Sequence, residues 1–134
     1  MFKESLKFTV VISSAPYGTQ GASSAYQFCV NIIKAGHCIE GVFFYQEGVL
    51  NANKLISPAS DETDLPALWA ELSIQHKFPL EVCVSASLRR GIVNEEEAKQ
   101  LNLAQFNLKS PFVLSGLGQL AVLSARSDRL VQFK

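Results

Sequence analysis

The segment Lys7-Phe-Thr-Val-Val-Ile-Ser-Ser14 decides the fold that we predict for this chain. It is rich in β-branched and apolar residues and lacks the alternation of polar and apolar positions typical of a strand with one solvated face. Strands buried on both faces are characteristic of parallel sheets. We therefore predict a fully buried first strand at residues 7–14.

Strand-like and helix-like segments alternate along the rest of the chain. We predict further strands at residues 38–45, 80–85 and 129–133, and helices at residues 22–35, 65–72 and 115–125 and from Asn94 onward. Doubly buried strands separated by helices indicate a single three-layer α/β/α domain with a mainly parallel sheet of about five strands. Residues 1–6 are predicted to be a loose N-terminal extension, and residues 7–134 the domain.

Composition restricts the class of protein. Charged residues make up 18% of the 134 residues, and twelve basic side chains balance twelve acidic ones. A neutral chain lacks the concentrated positive surface of direct nucleic-acid binding. The low charge content predicts an apolar surface that partner subunits cover, around residues 42–45 and 117–123.

No segment has the length of a membrane span, and the first apolar run is too short for the core of a signal peptide. The chain has three cysteines, an odd number without a secretory signal. This pattern predicts free thiols in a reducing cytoplasm rather than a disulfide framework.

Cys83 is the leading candidate for chemistry. It lies in the strand-like segment Pro79-Leu-Glu-Val-Cys-Val-Ser85, with Arg89 and Arg90 one short loop away. Nearby cations favour the thiolate, which is the nucleophilic form of cysteine. We therefore predict Cys83 as the reactive thiol and the two arginines as its supporting cations. The alternative is a structural role, because free cysteine is among the most buried residue types.

The other polar candidates favour structural roles. Cys29 lies on the apolar stripe of the first predicted helix, and Cys38 opens the second strand, so we predict both as core residues. His37 and His76 each stand alone at the end of an element, so neither is predicted to be a base. No cluster of cysteine, histidine and carboxylate has the spacing of a metal site, and we predict neither a metal nor a cofactor.

The loop Pro16-Tyr-Gly-Thr-Gln-Gly21 precedes a helix, where a phosphate could bind. It lacks the glycine spacing of the known nucleotide-binding loops, so a tight strand-to-helix turn is the favoured interpretation.

An ordered set of motifs resembles the DsrE-type sulfurtransferase subunits of the bacterial sulfur relay, over residues 7–133. The motifs are Pro16-Tyr-Gly-Thr-Gln20, Ala22-Ser-Ser-Ala25, Val42-Phe-Phe-Tyr45, Glu47-Gly-Val49, Asn51-Ala-Asn53, Ser57-Pro-Ala-Ser-Asp61, Cys83-Val-Ser-Ala86, Leu88-Arg-Arg-Gly91 and Ser115-Gly-Leu-Gly118. The resemblance implies a DsrE-like fold and a persulfide carried on Cys83.

The resemblance also implies partners and a pathway. Family members assemble with TusB-like and TusC-like subunits as a dimer of heterotrimers, accept sulfur from a TusA-like donor and pass it to a TusE-like acceptor. The sulfur then becomes the 2-thio group of wobble uridine in tRNA, without direct tRNA binding by this subunit.

Three other functions remain open from the sequence. Relatives in dissimilatory sulfur oxidation use the same cysteine. A flavodoxin-like module would bind a nucleotide or another small ligand at residues 16–21. A purely structural subunit would carry no chemistry.

Overall fold

The computed structural model describes residues 4–134 as an α/β domain built on one five-stranded sheet. The strands are β1 (Lys7–Ile12), β2 (Cys38–Phe44), β3 (Leu80–Cys83), β4 (Phe112–Ser115) and β5 (Arg129–Phe133). The helices are α1 (Gly21–Lys34), α2 (Leu65–His76), α3 (Val84–Arg89), α4 (Glu95–Gln100) and α5 (Leu117–Arg126), with a 3-10 segment at Gln46–Ala52.

All neighbouring strands are parallel, in the order β4-β3-β2-β1-β5. Strand β1 pairs with β2 on one side and β5 on the other, and its residues Val10 and Ile12 have no exposed surface. The predicted parallel α/β fold and the burial of the first strand are therefore confirmed. The strand ends at Ile12, two residues earlier than the sequence predicts.

Local capping signals begin and end the helices as expected. The Asn94 side chain accepts a hydrogen bond from the Glu97 N–H at 2.8 Å, which satisfies one free donor of α4. After α1, Gly36 adopts a φ of +92°, a left-handed conformation that glycine takes without a steric cost. These residues confirm the predicted start of α4 and the stop after α1.

Two predicted elements exist but have wrong bounds. The strand predicted at residues 80–85 ends at Cys83, because Val84 and Ser85 form the first turn of α3. The helix predicted to start at Ser115 begins at Leu117, and residues 112–115 form β4. In both places the apolar run is too short for its periodicity to separate strand from helix.

The predicted extension, residues 1–6, is described only in part, since residues 1–3 lie outside the described residues. Ser5 Oγ donates a hydrogen bond to the Gly36 carbonyl at 3.0 Å, and the Leu6 N–H donates to His37 Nδ1 at 3.0 Å. Ser5 and Leu6 are thus joined to the turn before β2 rather than loose. The domain boundary at residue 7 stays a prediction.

The two faces of the sheet are covered unequally. Phe44 packs edge-on against Trp69 of α2, and α1 also packs against β1 and β2. On the opposite face, Thr9 Oγ1 donates to the Leu123 carbonyl of α5 at 3.1 Å. This arrangement follows from right-handed crossovers, because only the β4–α5–β5 connection runs back across the sheet.

One helix cannot cover a five-stranded face, since a helix is about 10 Å wide and strands are about 4.8 Å apart. Helix α5 contacts β1 and β2, and it leaves Val113 on β4 51% exposed and Leu130 on β5 49% exposed. Leu117 and Val122 on α5 are exposed too, as the sequence predicts. The exposed surface predicted at residues 42–45 is wrong, because Val42, Phe43 and Phe44 are fully buried in the sheet.

We expect Gly48→Ala to lower the free energy of unfolding by about 1–3 kcal/mol, the usual cost of overpacking. A Cβ at Gly48 would overlap the backbone carbonyl oxygen of Ile12, which cannot move without disturbing β1. Gly118→Ala is the control, because a Cβ there meets no atom within 4 Å and alanine favours helix. Urea unfolding of both variants measures the difference, and equal midpoints would contradict the close approach at Gly48.

Candidate functional site

Cys83 lies at the carboxyl edge of the sheet, where ligands and reactive groups of parallel α/β folds collect. It is the last residue of β3 and the N-cap of α3, and its register partner on β4 is Ser115. The first backbone N–H groups of a helix have no intrahelical partner and favour a negative charge nearby. Cys83 is a free thiol, and only 3% of its surface is exposed.

The 3-10 segment lies against the same edge of the sheet. It packs on β3 and on α3, the two elements that meet at Cys83. Its Asn51 amide donates to the carbonyls of Ser14 and Gly48, at 3.1 and 2.8 Å, and the Tyr45 N–H donates to the Ile12 carbonyl at 2.9 Å. The Asn51–Ser14 and Tyr45–Ile12 bonds join the segment and the residue before it to the end of β1, and the Asn51–Gly48 bond lies within the segment.

The predicted supporting arginines lie at the other end of α3. The segment between Cys83 and Arg89 is a helix and not the predicted loop. A rise of 1.5 Å per residue separates the backbones of Cys83 and Arg90 by roughly 10 Å, beyond the ~4–6 Å at which an opposite charge shifts a pKa most. A role of Arg89 and Arg90 in stabilising the thiolate stays a prediction.

Arg90 has well-defined partners of its own. Its Nε and Nη2 atoms donate to Glu47 Oε1, each at 2.9 Å, and its Nη1 atom donates to the Ala86 carbonyl at 3.1 Å. The Arg90 charge therefore lies between the C-terminal end of α3 and the 3-10 segment. Arg89 is exposed and forms no ion pair with any of the described residues.

The other two thiols differ from Cys83 in their surroundings. Cys29 is fully buried in α1, as predicted, and burial raises its pKa to about 12. Cys38 opens β2 as predicted, but it is exposed rather than part of the core. Its Sγ lies 3.8 Å from Ser5 Oγ, at the amino edge of the sheet and away from the edge that carries Cys83.

The loop at residues 16–21 forms a groove of about 290 Å³ with the residues before α2. Tyr17 Oη donates to the Thr63 carbonyl at 2.6 Å, and the Glu62 carboxylate lines the groove. None of the described residues that line it is basic. A phosphate would thus meet a carboxylate without a compensating cation, which favours the strand-to-helix turn over a nucleotide site.

Within residues 4–134, no group of three or more histidine, cysteine, aspartate and glutamate side chains is placed to hold a metal ion. No helix in that range is long and apolar enough to cross a lipid bilayer.

The profile of the DsrE/DsrF-like family matches residues 6–133. The chain belongs to this family. Two curated relatives, each named sulfurtransferase TusD, come from Yersinia pestis (strain Pestoides F) and Yersinia pseudotuberculosis serotype O:1b (strain IP 31758). Each is 53% identical over 128 residues, which cover 96% of this chain and 98% of the relative.

A solved structure also shows the DsrE/DsrF-like fold. The crystal structure of the ychN protein from E. coli matches 96% of this chain and 99% of its own length, with a TM-score of 0.75. The sequence identity is 15%, so this likeness concerns the fold alone.

Two neighbours of the site in this DsrE/DsrF-like chain were missed as site residues. Glu47 is the ionic partner of Arg90, and Ser115 stands beside Cys83 on β4. Glu47 and Ser115 belong to motifs of the family resemblance, Glu47-Gly-Val49 and Ser115-Gly-Leu-Gly118. That resemblance was the one available signal, because neither contact is local in sequence.

We expect iodoacetamide at pH 8 to modify Cys38 in the native protein and to leave Cys29 unmodified. With a pKa of about 12, roughly one Cys29 in ten thousand is a thiolate at pH 8, against about a quarter for an ordinary cysteine. Peptide mass spectrometry checks this, with protein unfolded in urea as the control in which all three cysteines react. Rapid native modification of Cys29 would contradict its burial.

Proposed function

We propose that this protein is a sulfurtransferase that carries sulfur as a persulfide on Cys83. The observation that supports this most directly is the position of Cys83, a free thiol at the carboxyl edge of a DsrE/DsrF-like sheet and at the first turn of a helix. The enzyme class predicted from the sequence agrees with the two Yersinia relatives, which are named sulfurtransferases.

The remaining thiols support the choice of Cys83. Burial keeps Cys29 in its neutral form, which is a poor nucleophile. Cys38 is exposed, but it lies at the amino edge of the sheet, where parallel α/β folds rarely place reactive groups.

The transfer is an exchange between sulfur atoms. The Cys83 thiolate attacks the terminal sulfur of a donor persulfide, a new S–S bond forms on Sγ, and the donor leaves as a thiolate. An acceptor thiolate then attacks the terminal sulfur on Cys83, and the Cys83 thiolate is released. Electrons and atoms balance in each step, so the reaction needs no oxidant, metal or separate base.

We further propose the pathway that the family resemblance implies. The chain accepts sulfur from a TusA-like donor in the cytoplasm and passes it to a TusE-like acceptor, and the sulfur becomes the 2-thio group of wobble uridine in tRNA. The balance of twelve basic and twelve acidic residues is consistent with a subunit that contacts proteins and not RNA.

The α5 face is the surface that we propose for the TusB-like and TusC-like subunits. It consists of the outward side of α5 with the uncovered residues of β4 and β5. The stretch 116–125 contains no charged residue, although Leu117 and Val122 are exposed. An exposed apolar patch of this kind is typical of a protein interface.

In a Cys38→Ser background, which removes the exposed thiol, Cys83→Ser is expected to abolish the mass increase of one sulfur atom that the protein gains on incubation with glutathione persulfide. Serine preserves the shape of the side chain but provides no thiolate. Cys29→Ser and Cys38→Ser are the matched controls and should still gain the sulfur. Circular dichroism tests whether each variant is folded, and intact-mass spectrometry measures the adduct. A folded Cys83→Ser protein that still gains the sulfur at the normal rate would refute the assignment.

Expressed alone, the chain is expected to self-associate, because its α5 face has no cover within the described residues. Val122→Glu should reduce this self-association and should block co-purification with TusB-like and TusC-like partners. Ile74→Glu is the matched control, since Ile74 is 67% exposed on α2, away from the α5 face. Light scattering measures the association. A wild-type chain that stays monomeric at high concentration would count against the proposed surface.

A further inference from the structure

Burial of Cys83 conflicts with the reaction proposed for it. An exchange between two proteins requires the donor sulfur to approach Sγ directly, yet only 3% of the Cys83 surface is exposed. The residues around Sγ therefore have to move before transfer, and the contacts that resist this movement determine how often the thiol is accessible.

The start of the 3-10 segment is the part of this edge best placed to move. The segment packs on β3 and α3, which meet at Cys83, and its first two residues, Gln46 and Glu47, are exposed, whereas the residues after them are mostly buried. Its first residue, Gln46, has a φ of +50°, a left-handed conformation that is unfavourable for a side chain with a Cβ. Strain of this kind persists only where surrounding contacts enforce it.

The Glu47–Arg90 ion pair is one such contact. It lies one residue after Gln46 and joins the 3-10 segment to the residue that ends α3. The only other ion pair among the described residues, Lys99 with Glu95 at 3.4 Å, lies within α4 and connects nothing distant. Arg90 also donates to the Ala86 carbonyl, so its guanidinium is fixed on α3 while it binds Glu47.

We propose that the Glu47–Arg90 pair is a clasp that holds the 3-10 segment against α3 and so limits access to Cys83. The proposal rests on the proposed function of Cys83 as the sulfur carrier. Glu47 and Arg90 are positioning residues in this scheme, since they act on access and do not touch the transferred sulfur. A docking donor protein would open the clasp by offering either residue another charged partner.

The clasp and a direct electrostatic role of Arg90 predict opposite results. If Arg90 stabilised the Cys83 thiolate, its loss would raise the thiol pKa and slow alkylation. If Arg90 closes the site, its loss speeds alkylation. A partly exposed ion pair is weak, so we expect Arg90→Gln and Glu47→Gln each to accelerate iodoacetamide modification of Cys83 roughly two- to fivefold at pH 8.

The experiment uses the full chain with Cys38→Ser, and peptide mass spectrometry follows Cys83 and Cys29 in the same sample. Cys29 is fully buried in α1, so its rate reports global unfolding. Faster modification of Cys83 with an unchanged Cys29 rate supports the clasp. Equal acceleration of both thiols, or slower modification of Cys83, would overturn it.

Two further variants complete the test. Arg126→Gln removes the same charge at the end of α5 without affecting the Glu47–Arg90 pair, and it should not accelerate modification. The double variant Glu47→Gln/Arg90→Gln should react no faster than either single variant, because each change alone already opens the clasp. Additive acceleration would mean that the two residues act independently and would refute the proposal. Alkylation requires no sulfur transfer, so this result stands apart from the persulfide assay.

Discussion

Parallel pairing of the five strands is the constraint on which the rest of the molecule depends. All strands run in the same direction, so each carboxyl end lies at one edge and each connection must cross back over a face. This brings Cys83 at the end of β3 and the 3-10 segment after β2 to the same edge, although Ala52 and Cys83 are 31 positions apart in the sequence. A reactive edge is therefore a consequence of topology before any individual side chain is considered.

The strand order also decides on which face of the sheet each helix lies. Successive strands step in one direction from β1 to β4, which puts α1 and α2 on one face, and the single return to β5 puts α5 alone on the other. One face is consequently well covered and the other keeps exposed apolar residues at its margins. The topology thus leaves apolar side chains exposed on the face that carries α5.

The role proposed for Cys83 requires two properties that usually exclude each other. A buried position at the start of a helix excludes water and orients the thiol, whereas a sulfur carrier has to meet thiols of other proteins. Cys29 shows the effect of burial alone, because burial raises its pKa to about 12 and so leaves little of it as the nucleophilic thiolate at neutral pH. A site that is buried but can open would protect a persulfide between transfers. A weak ion pair such as Glu47–Arg90 suits this role, because either residue can exchange its partner for a charged residue of another protein.

The sequence by itself determined the α/β class, the buried strand β1, the end of α1 and the start of α4, because each depends on local periodicity or on a residue type. It also singled out Cys83 as the leading candidate for chemistry, which stays a prediction. Tertiary structure alone decided the rest. The sequence of Val84 and Ser85 is typical of a strand, but β3 ends at Cys83 and these two residues begin α3. Residues 112–115 form a strand because they pair with β3 through backbone hydrogen bonds. The exposure of Cys38 and the pairing of Glu47 with Arg90, 43 positions apart, depend on how distant segments pack, which no local pattern contains.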